Sequence, residues 1–327
     1  MKTYTVDEMR RAFADSVDAL GLPGGVNASF DALYLPIARC LVDARTEYQA
    51  APYILGVNGA QGSGKSTFCH LLAEVLRIGF GQSVLVLSID DLYHSRAHRM
   101  ELSETVHPLC LYRGVPGTHD TEIGRCLFET LDAASPQHIT WVPRFDKSQD
   151  DRAPKEQWTQ WIGRPDFILF EGWCVGASPP PPWTGPLNER ERNDDPEGIW
   201  ARWSTQCHRE AYDTLFGRIQ RLLMIQVESM DSVRQGRWLQ EKTLRERLGI
   251  TGDDADYPGV MTKTEVDAYV DLFERYTTHM LRELPSKADI LVTRSNDLRY
   301  TLVRTKKHES MGGESDDTAA TGIHRRR

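Results

Sequence analysis

Apolar residues recur at helical spacing through the first fifty positions, at Met9, Phe13, Val17 and Leu20 and again at Phe30, Leu33, Ile37 and Leu41, with a break at Gly21 to Gly25. A recurrence of three to four residues gathers side chains on one helix face, so the pattern predicts two amphipathic helices that form a helical N-terminal cap over residues 1–50. From Pro52 the period changes. Short apolar runs at Tyr53–Val57, Val84–Ile89, Ile139–Val142, Phe167–Phe170, Leu222–Val227 and Ile290–Val292 alternate with helical stretches at about 65–78, 120–133, 204–219, 232–248 and 264–283. Strands covered on both faces read as continuous apolar runs, so residues 51–304 predict one α/β domain with a mostly parallel central sheet between helical layers.

Two stretches break the alternation. Pro179 to Pro182, Pro186 and the mixed charges from Glu189 to Glu197 predict an exposed insertion loop over 178–200 that builds neither helix nor central strand. Residues 305–327, with Gly312, Gly313 and Arg325 to Arg327, predict a disordered, solvated tail.

Composition narrows the function. A net charge of -8 and a pI near 5.7 supply no general attraction to nucleic acid or an anionic membrane. The six cysteines stand far apart with no metal-site spacing, and read as reduced, packed thiols. The first twenty residues lack the apolar core of a signal peptide, and no apolar run approaches the ~18 residues of a membrane span. The expectation is a cytoplasmic protein whose partner is a small molecule, with no nucleic acid and no membrane. The sequence is silent on oligomeric state.

One segment carries specific chemistry. Gly59, Ala60, Gln61, Gly62, Ser63, Gly64, Lys65 and Ser66 match G-x-x-x-x-G-K-[ST] in full, with Thr67 and an amphipathic run behind them and an apolar strand in front. Glycines let successive N–H groups curl inward around phosphates, and the helix N-terminus adds its positive end. Lys65 is placed to reach the β and γ phosphates of ATP, and Ser66 to ligate Mg²⁺. At the end of the next apolar run, Asp90 and Asp91 lie where open α/β sheets keep their catalytic groups, and a carboxylate there can take the proton of an attacking hydroxyl. As a plainer alternative, both aspartates cap a following helix. Glu171 closes a core strand and suits a magnesium or water-organising role. Two loops, Arg113 to Asp120 and Pro143 to Arg152, concentrate arginine, glycine and histidine and suggest an anionic acceptor; Thr118 or Asp120 could be the N-cap of the next helix.

Taken in order, G-x-x-G-x-G-K-[ST], S-x-D-D-x-Y, Y-R-G-x-x-G-[ST]-H-D, P-R-[FY]-[DN]-K-S and F-E-G-W resemble the D-glycerate 3-kinase family, within the wider group that holds phosphoribulokinase, uridine kinase and pantothenate kinase. The resemblance spans about residues 52–300. It implies a P-loop NTPase-type three-layer fold with a mobile lid, ATP and Mg²⁺ as cofactors, and transfer of the γ-phosphate to a hydroxyl, with D-glycerate as the first candidate acceptor. By that resemblance Asp90 is the base, Lys65 the phosphate lysine, and Ser66 with Glu171 the magnesium organisers. Asp91, Tyr93, Arg113, His119, Arg144 and Arg152 would line the acceptor pocket, and the lid arginine is Arg234 or Arg237. Pantothenate, a nucleoside or another sugar acid are alternative acceptors. A nucleotide-controlled regulatory or chaperone ATPase is the alternative of another class.

Overall fold

The computed structural model describes residues 4–48, 52–252, 260–297 and 299–306. The chain opens with α1 (Val6–Ala19), started by a capping box between Thr5 and Glu8. One turn of π-helix at Phe30–Tyr34 then leads into α2 (Leu35–Glu47). β1 (Tyr53–Gly59) runs into α3 (Lys65–Phe80), and β2 (Val84–Ser88) into α4 (Arg96–Thr105) and α5 (Thr121–Ala133). The short strands β3 (Ile139–Val142), β4 (Phe145–Asp146), β5 (Asp151–Arg152) and β6 (Thr159–Ile162) precede β7 (Phe167–Gly172). Helices α6 (Glu189–Asp194), α7 (Ile199–Ala211) and α8 (Asp213–Phe216) lead to β8 (Arg221–Gln226). After it come α9 (Met230–Arg247), α10 (Lys263–Asp271), α11 (Glu274–Lys287), β9 (Ile290–Arg294) and β10 (Tyr300–Thr305).

Six strands form one sheet in the order β10-β9-β8-β1-β7-β2, parallel throughout except for the β9–β10 pair. Alternate side chains of β1 go to opposite faces, as a two-residue period requires. Tyr53, Leu55 and Val57 join Phe13, Leu41, Phe68 and Leu72 in one core, so the N-terminal helices and α3 cover this face together. Ile54, with Ile168 and Phe170 of β7, joins Phe128, Leu215 and Met280 in the other. The result is the expected three-layer α/β arrangement, with β1 enclosed on both sides and the loop after it at the carboxyl end of the sheet.

Three expectations are corrected. Ile139–Val142 is a strand, but it pairs antiparallel with β6 outside the central sheet. Its burial alternates, with Ile139 and Trp141 exposed and Thr140 and Val142 buried. The run is therefore a half-solvated strand rather than one covered on both faces. The 178–200 stretch does contain helix: Asn188 caps α6 by accepting from the Glu191 N–H, and Glu191 is buried against Arg275 at 2.6 Å. A cap and a tertiary ion pair outweigh the poor helix propensity of the flanking prolines. The stretches at 204–219 and 264–283 each divide into two helices, and α4 and β10 carry no strong periodic signal. The tail expectation falls almost wholly on residues outside those described, while Thr305 closes β10.

Candidate active site

The turn after β1 obeys the demands of phosphate-binding backbone. Gly62 and Gly64 have φ of 73° and 79°, in the left-handed region that costs other residues dearly, and Gly64 is the N-cap of α3. A Cβ on Gly62 would run into the backbone of Gly236 and Arg237 in α9. Opposite, the hydroxyl of Tyr300 in β10 donates to the Ser63 carbonyl at 2.8 Å. The loop is thus gripped by two elements distant in sequence. Lys65 forms no ion pair with a carboxylate among the described residues, which leaves its ammonium for an incoming anion.

Beside it, the Ser66 hydroxyl donates to Glu171 Oε1 at 2.7 Å. Glu171 is buried in β7, the strand next to β1, opposite Val57 in register. Its other oxygen, Oε2, is buried with no hydrogen-bond partner among the described residues. An ionised carboxylate oxygen left so is costly unless a cation or its water shell meets it. The paired Ser66 hydroxyl and Glu171 carboxylate therefore fit a hard cation such as Mg²⁺, which takes oxygen ligands and keeps several waters.

The two adjacent aspartates do different work. Asp90 lies in the turn after β2, with Ser88 capping that turn. Its Oδ1 accepts from the Tyr93 hydroxyl at 2.9 Å and its Oδ2 from the Lys147 ammonium at 2.7 Å. Burial opposes its ionisation, yet Lys147 and Lys65 overcome that and bring its pKa down to about 2. Asp91 points the other way, accepting from the Phe145 N–H at 3.2 Å and from Arg144 at 3.0 Å, and burial pushes its pKa up. Neither caps a following α-helix; Ser95 caps α4.

The expected acceptor residues separate into two groups. Tyr93 and His119 converge on Asp90, with their rings stacked 4.5 Å apart. His119 Nδ1 meets the Tyr212 hydroxyl at 2.6 Å, and its buried Nε2 has no partner among the described residues. The three arginines instead each hold a carboxylate of the protein: Arg144 that of Asp91, Arg152 that of Asp120 at 3.0 Å, and Arg113 that of Asp150. Asp120 is the N-cap of α5, whereas Thr118 bonds within its own turn, to Gly114 and Val115. Lys147, inside the Pro143 to Ser148 motif but not singled out in the sequence, is the cation that contacts Asp90. Tyr269 of α10 was also missed. Arg237 lies over its ring at 5.8 Å, and burial, with the negative charge of Asp90, raises the pKa of its phenol against the opposing pull of Arg113, Arg237 and Lys147.

Arg99 organises this loop from beneath. It is fully buried, donating to the carbonyls of Leu111 at 2.6 Å and Asp150 at 2.5 Å and paired with the Asp150 carboxylate at 3.1 Å. Asp150 itself adopts φ 52°, a left-handed value unusual for a non-glycine residue. Arg99→Met leaves two buried carbonyls without their donor and the Asp150 carboxylate with Arg113 alone, and is expected to destabilise the fold by about 3–5 kcal/mol. Thermal and denaturant unfolding would measure it, and a change within experimental error would show that the network is not structural.

Of the two arginines expected to serve a lid, Arg234 is held by Asp271 at 2.7 Å and by Glu274, facing α10 and α11. Arg237 pairs with Glu241 at 2.8 Å, and its backbone lies against Gly62. Of the two, Arg237 is the one next to the phosphate loop.

Burial also predicts an acid sensitivity. His119 and His208 are both buried, and burial lowers their pKa values to about 3 and about 4. In the unfolded chain they titrate near 6.5, so between that value and the folded values the unfolded state binds more protons. Stability should fall as pH drops from about 6.5 toward 4, by about 1.4 kcal/mol per pH unit for each histidine. Unfolding curves across that range would check it, with His208→Gln reducing the slope; a flat profile would contradict the buried neutral assignment.

The fold and this site together define a P-loop phosphotransferase. No protein-family model matches the chain. An uncharacterized kinase of Schizosaccharomyces pombe, mug58, is 30% identical over 210 residues, 61% of this chain and 74% of the relative. The chloroplastic D-glycerate 3-kinase of Arabidopsis thaliana is 25% identical over 247 residues, 73% of this chain but only half the relative's length. A solved D-glycerate 3-kinase from Cryptococcus neoformans var. grubii superposes with a TM-score of 0.62 at 22% identity, covering 85% of this chain and 99% of that one. The chain belongs to the family of P-loop kinases that includes the D-glycerate 3-kinases. It is an ATP-dependent kinase acting on a hydroxyl.

Proposed function

We propose that the protein transfers the γ-phosphate of ATP to the terminal hydroxyl of D-glycerate, giving 3-phosphoglycerate. The observation that carries this reading is the environment of Asp90: an ionised carboxylate beyond a strand end, held by Lys147 and Tyr93 and pulled down by Lys65. The resemblance to the D-glycerate 3-kinases, two of which are among the similar proteins, supports glycerate over other acceptors.

In this reading the loop from Gly59 to Thr67 cradles the triphosphate through its backbone N–H groups, and Lys65 neutralises charge on the transferring phosphoryl oxygens. Ser66 and Glu171 would hold Mg²⁺, which would supply neutralisation of phosphate charge. A cleft of about 320 Å³ lined by Gln226, Val227, Thr293 and Arg294 opens at the carboxyl ends of β8 and β9, and Ile225 of β8 is in register with Gly59. This cleft takes the nucleoside end of ATP. Asp90 accepts the acceptor proton late, since the phosphoryl transition state is loose. His119 Nε2 offers its unpartnered lone pair or N–H to an acceptor hydroxyl. The substrate carboxylate pairs with Lys147 and with the donors of Arg144 that Asp91 and Thr159 leave free. Closure of Arg237 over the loop would exclude water.

The test is an ATP-consumption screen with purified protein and Mg²⁺ across hydroxy acids, pantothenate, nucleosides and sugar acids, with mapping of the phosphorylated hydroxyl. D-Glycerate should give the highest kcat/KM and the 3-phosphate. Preference for another acceptor would overturn glycerate, and hydrolysis that no acceptor stimulates would overturn the transferase reading.

A further inference from the structure

Away from the phosphate loop, the chain from Pro181 to Trp183 faces helix α7 across a pocket of about 240 Å³. That is just under the ~300 Å³ where small-ligand clefts begin, which restricts any occupant to a small metabolite. One wall is apolar and pinned. Trp183 carries Arg275 over its ring at 4.4 Å and packs on Gly198, where a Cβ would collide with the indole. Arg275 is in turn fixed by two bonds to Glu191, at 2.6 and 2.8 Å. The opposite wall is one stripe of α7: Arg202, Thr205, Gln206 and Arg209, at the three-, four- and seven-residue spacing that puts side chains on the same helix face. Neither Arg202 nor Arg209 forms an ion pair among the described residues, although the chain is acidic overall.

We propose that this pocket binds a small metabolite carrying a carboxylate or phosphate on a flat apolar body. The body lies against Pro182 and Trp183, and the anion takes the two guanidiniums, whose planar donors suit either group. The inner face of the same helix reaches the acceptor loop. Trp203 packs where a Cβ of Gly117 would stand, and the hydroxyl of Tyr212, at the C-cap of α7, accepts from the Gly117 N–H at 2.9 Å and meets His119 at 2.6 Å. Occupancy therefore stiffens residues 113–120. Its effect on catalysis rests on the proposed kinase reading, while binding and stiffening do not.

The experiment uses full-length protein saturated with Mg²⁺ and a non-hydrolysable ATP analogue, titrated calorimetrically with phenyl phosphate, phenylacetate and, as the neutral control, benzyl alcohol. One equivalent of an anionic probe should bind, the better of the two identifying the head group. The double variant Arg202→Ala/Arg209→Ala should weaken it at least about tenfold, the loss expected for charge-assisted pairing, with turnover in the absence of probe unchanged. Hydrogen exchange over 113–120 should slow several-fold on binding in the wild type. The site is refuted by absence of saturable binding, by equal binding of benzyl alcohol, or by affinity that the double variant leaves intact. Unaltered exchange with the probe bound refutes the link to the acceptor loop. The binding and exchange readouts need no phosphoryl transfer, so failure of the kinase reading would be seen separately, in the turnover control alone.

Discussion

Asp90→Asn is expected to lower kcat by roughly 10²–10⁴-fold, the range that removal of a general base commands, while affinity for ATP stays nearly unchanged. Asparagine matches aspartate in shape and can still accept from the Tyr93 hydroxyl, so the variant removes charge and basicity with little disturbance of the turn. With a pKa near 2 the aspartate is ionised across the working pH range, so wild-type activity should show no acidic limb from this group above about pH 3. Asp91→Asn provides the contrast. Asp91 anchors Phe145 and Arg144, and its loss should appear in unfolding curves more than in kcat. If Asp90→Asn turned over glycerate at the wild-type rate, the base would have to be sought elsewhere.

Lys65→Met should reduce kcat by about 10²–10³-fold, the effect of deleting one preorganised charge aimed at the transition state, and weaken ATP binding as well. The side chain keeps its length and apolar stem, so the loss isolates the ammonium. The same change at Lys147 separates two cations near one carboxylate. Lys147→Met should raise KM for the acceptor with a modest effect on ATP, because Lys147 approaches Asp90 from the acceptor loop. Steady-state kinetics with each substrate varied in turn distinguishes the two, and identical profiles for both variants would contradict the division of roles.

Much of this arrangement was legible in the sequence because it is local. The phosphate loop requires glycine at left-handed positions, and its lysine and serine follow at fixed offsets, so eight consecutive residues define it. Glu171 was legible because a charge closing a wholly apolar strand stands out. The arginines show where local reading ends. Arg113, Arg144 and Arg152 count as available cations until their partners are seen, and those partners lie 37, 53 and 32 residues away. Tyr269 carried no signal at all, being one aromatic on an amphipathic helix. Ile139–Val142 misled for a related reason: four residues of strand-forming type do not reveal whether one face or both are covered.

The hydroxyl of Tyr300 on Ser63 joins positions 237 residues apart. A ribosome releases the phosphate-loop sequence long before it releases β10. Until that last edge strand emerges and pairs with β9, the nascent chain holds the nucleotide motif without the clamp that sets its backbone. A ligand that favours the completed loop therefore stabilises the finished fold more than the half-made one.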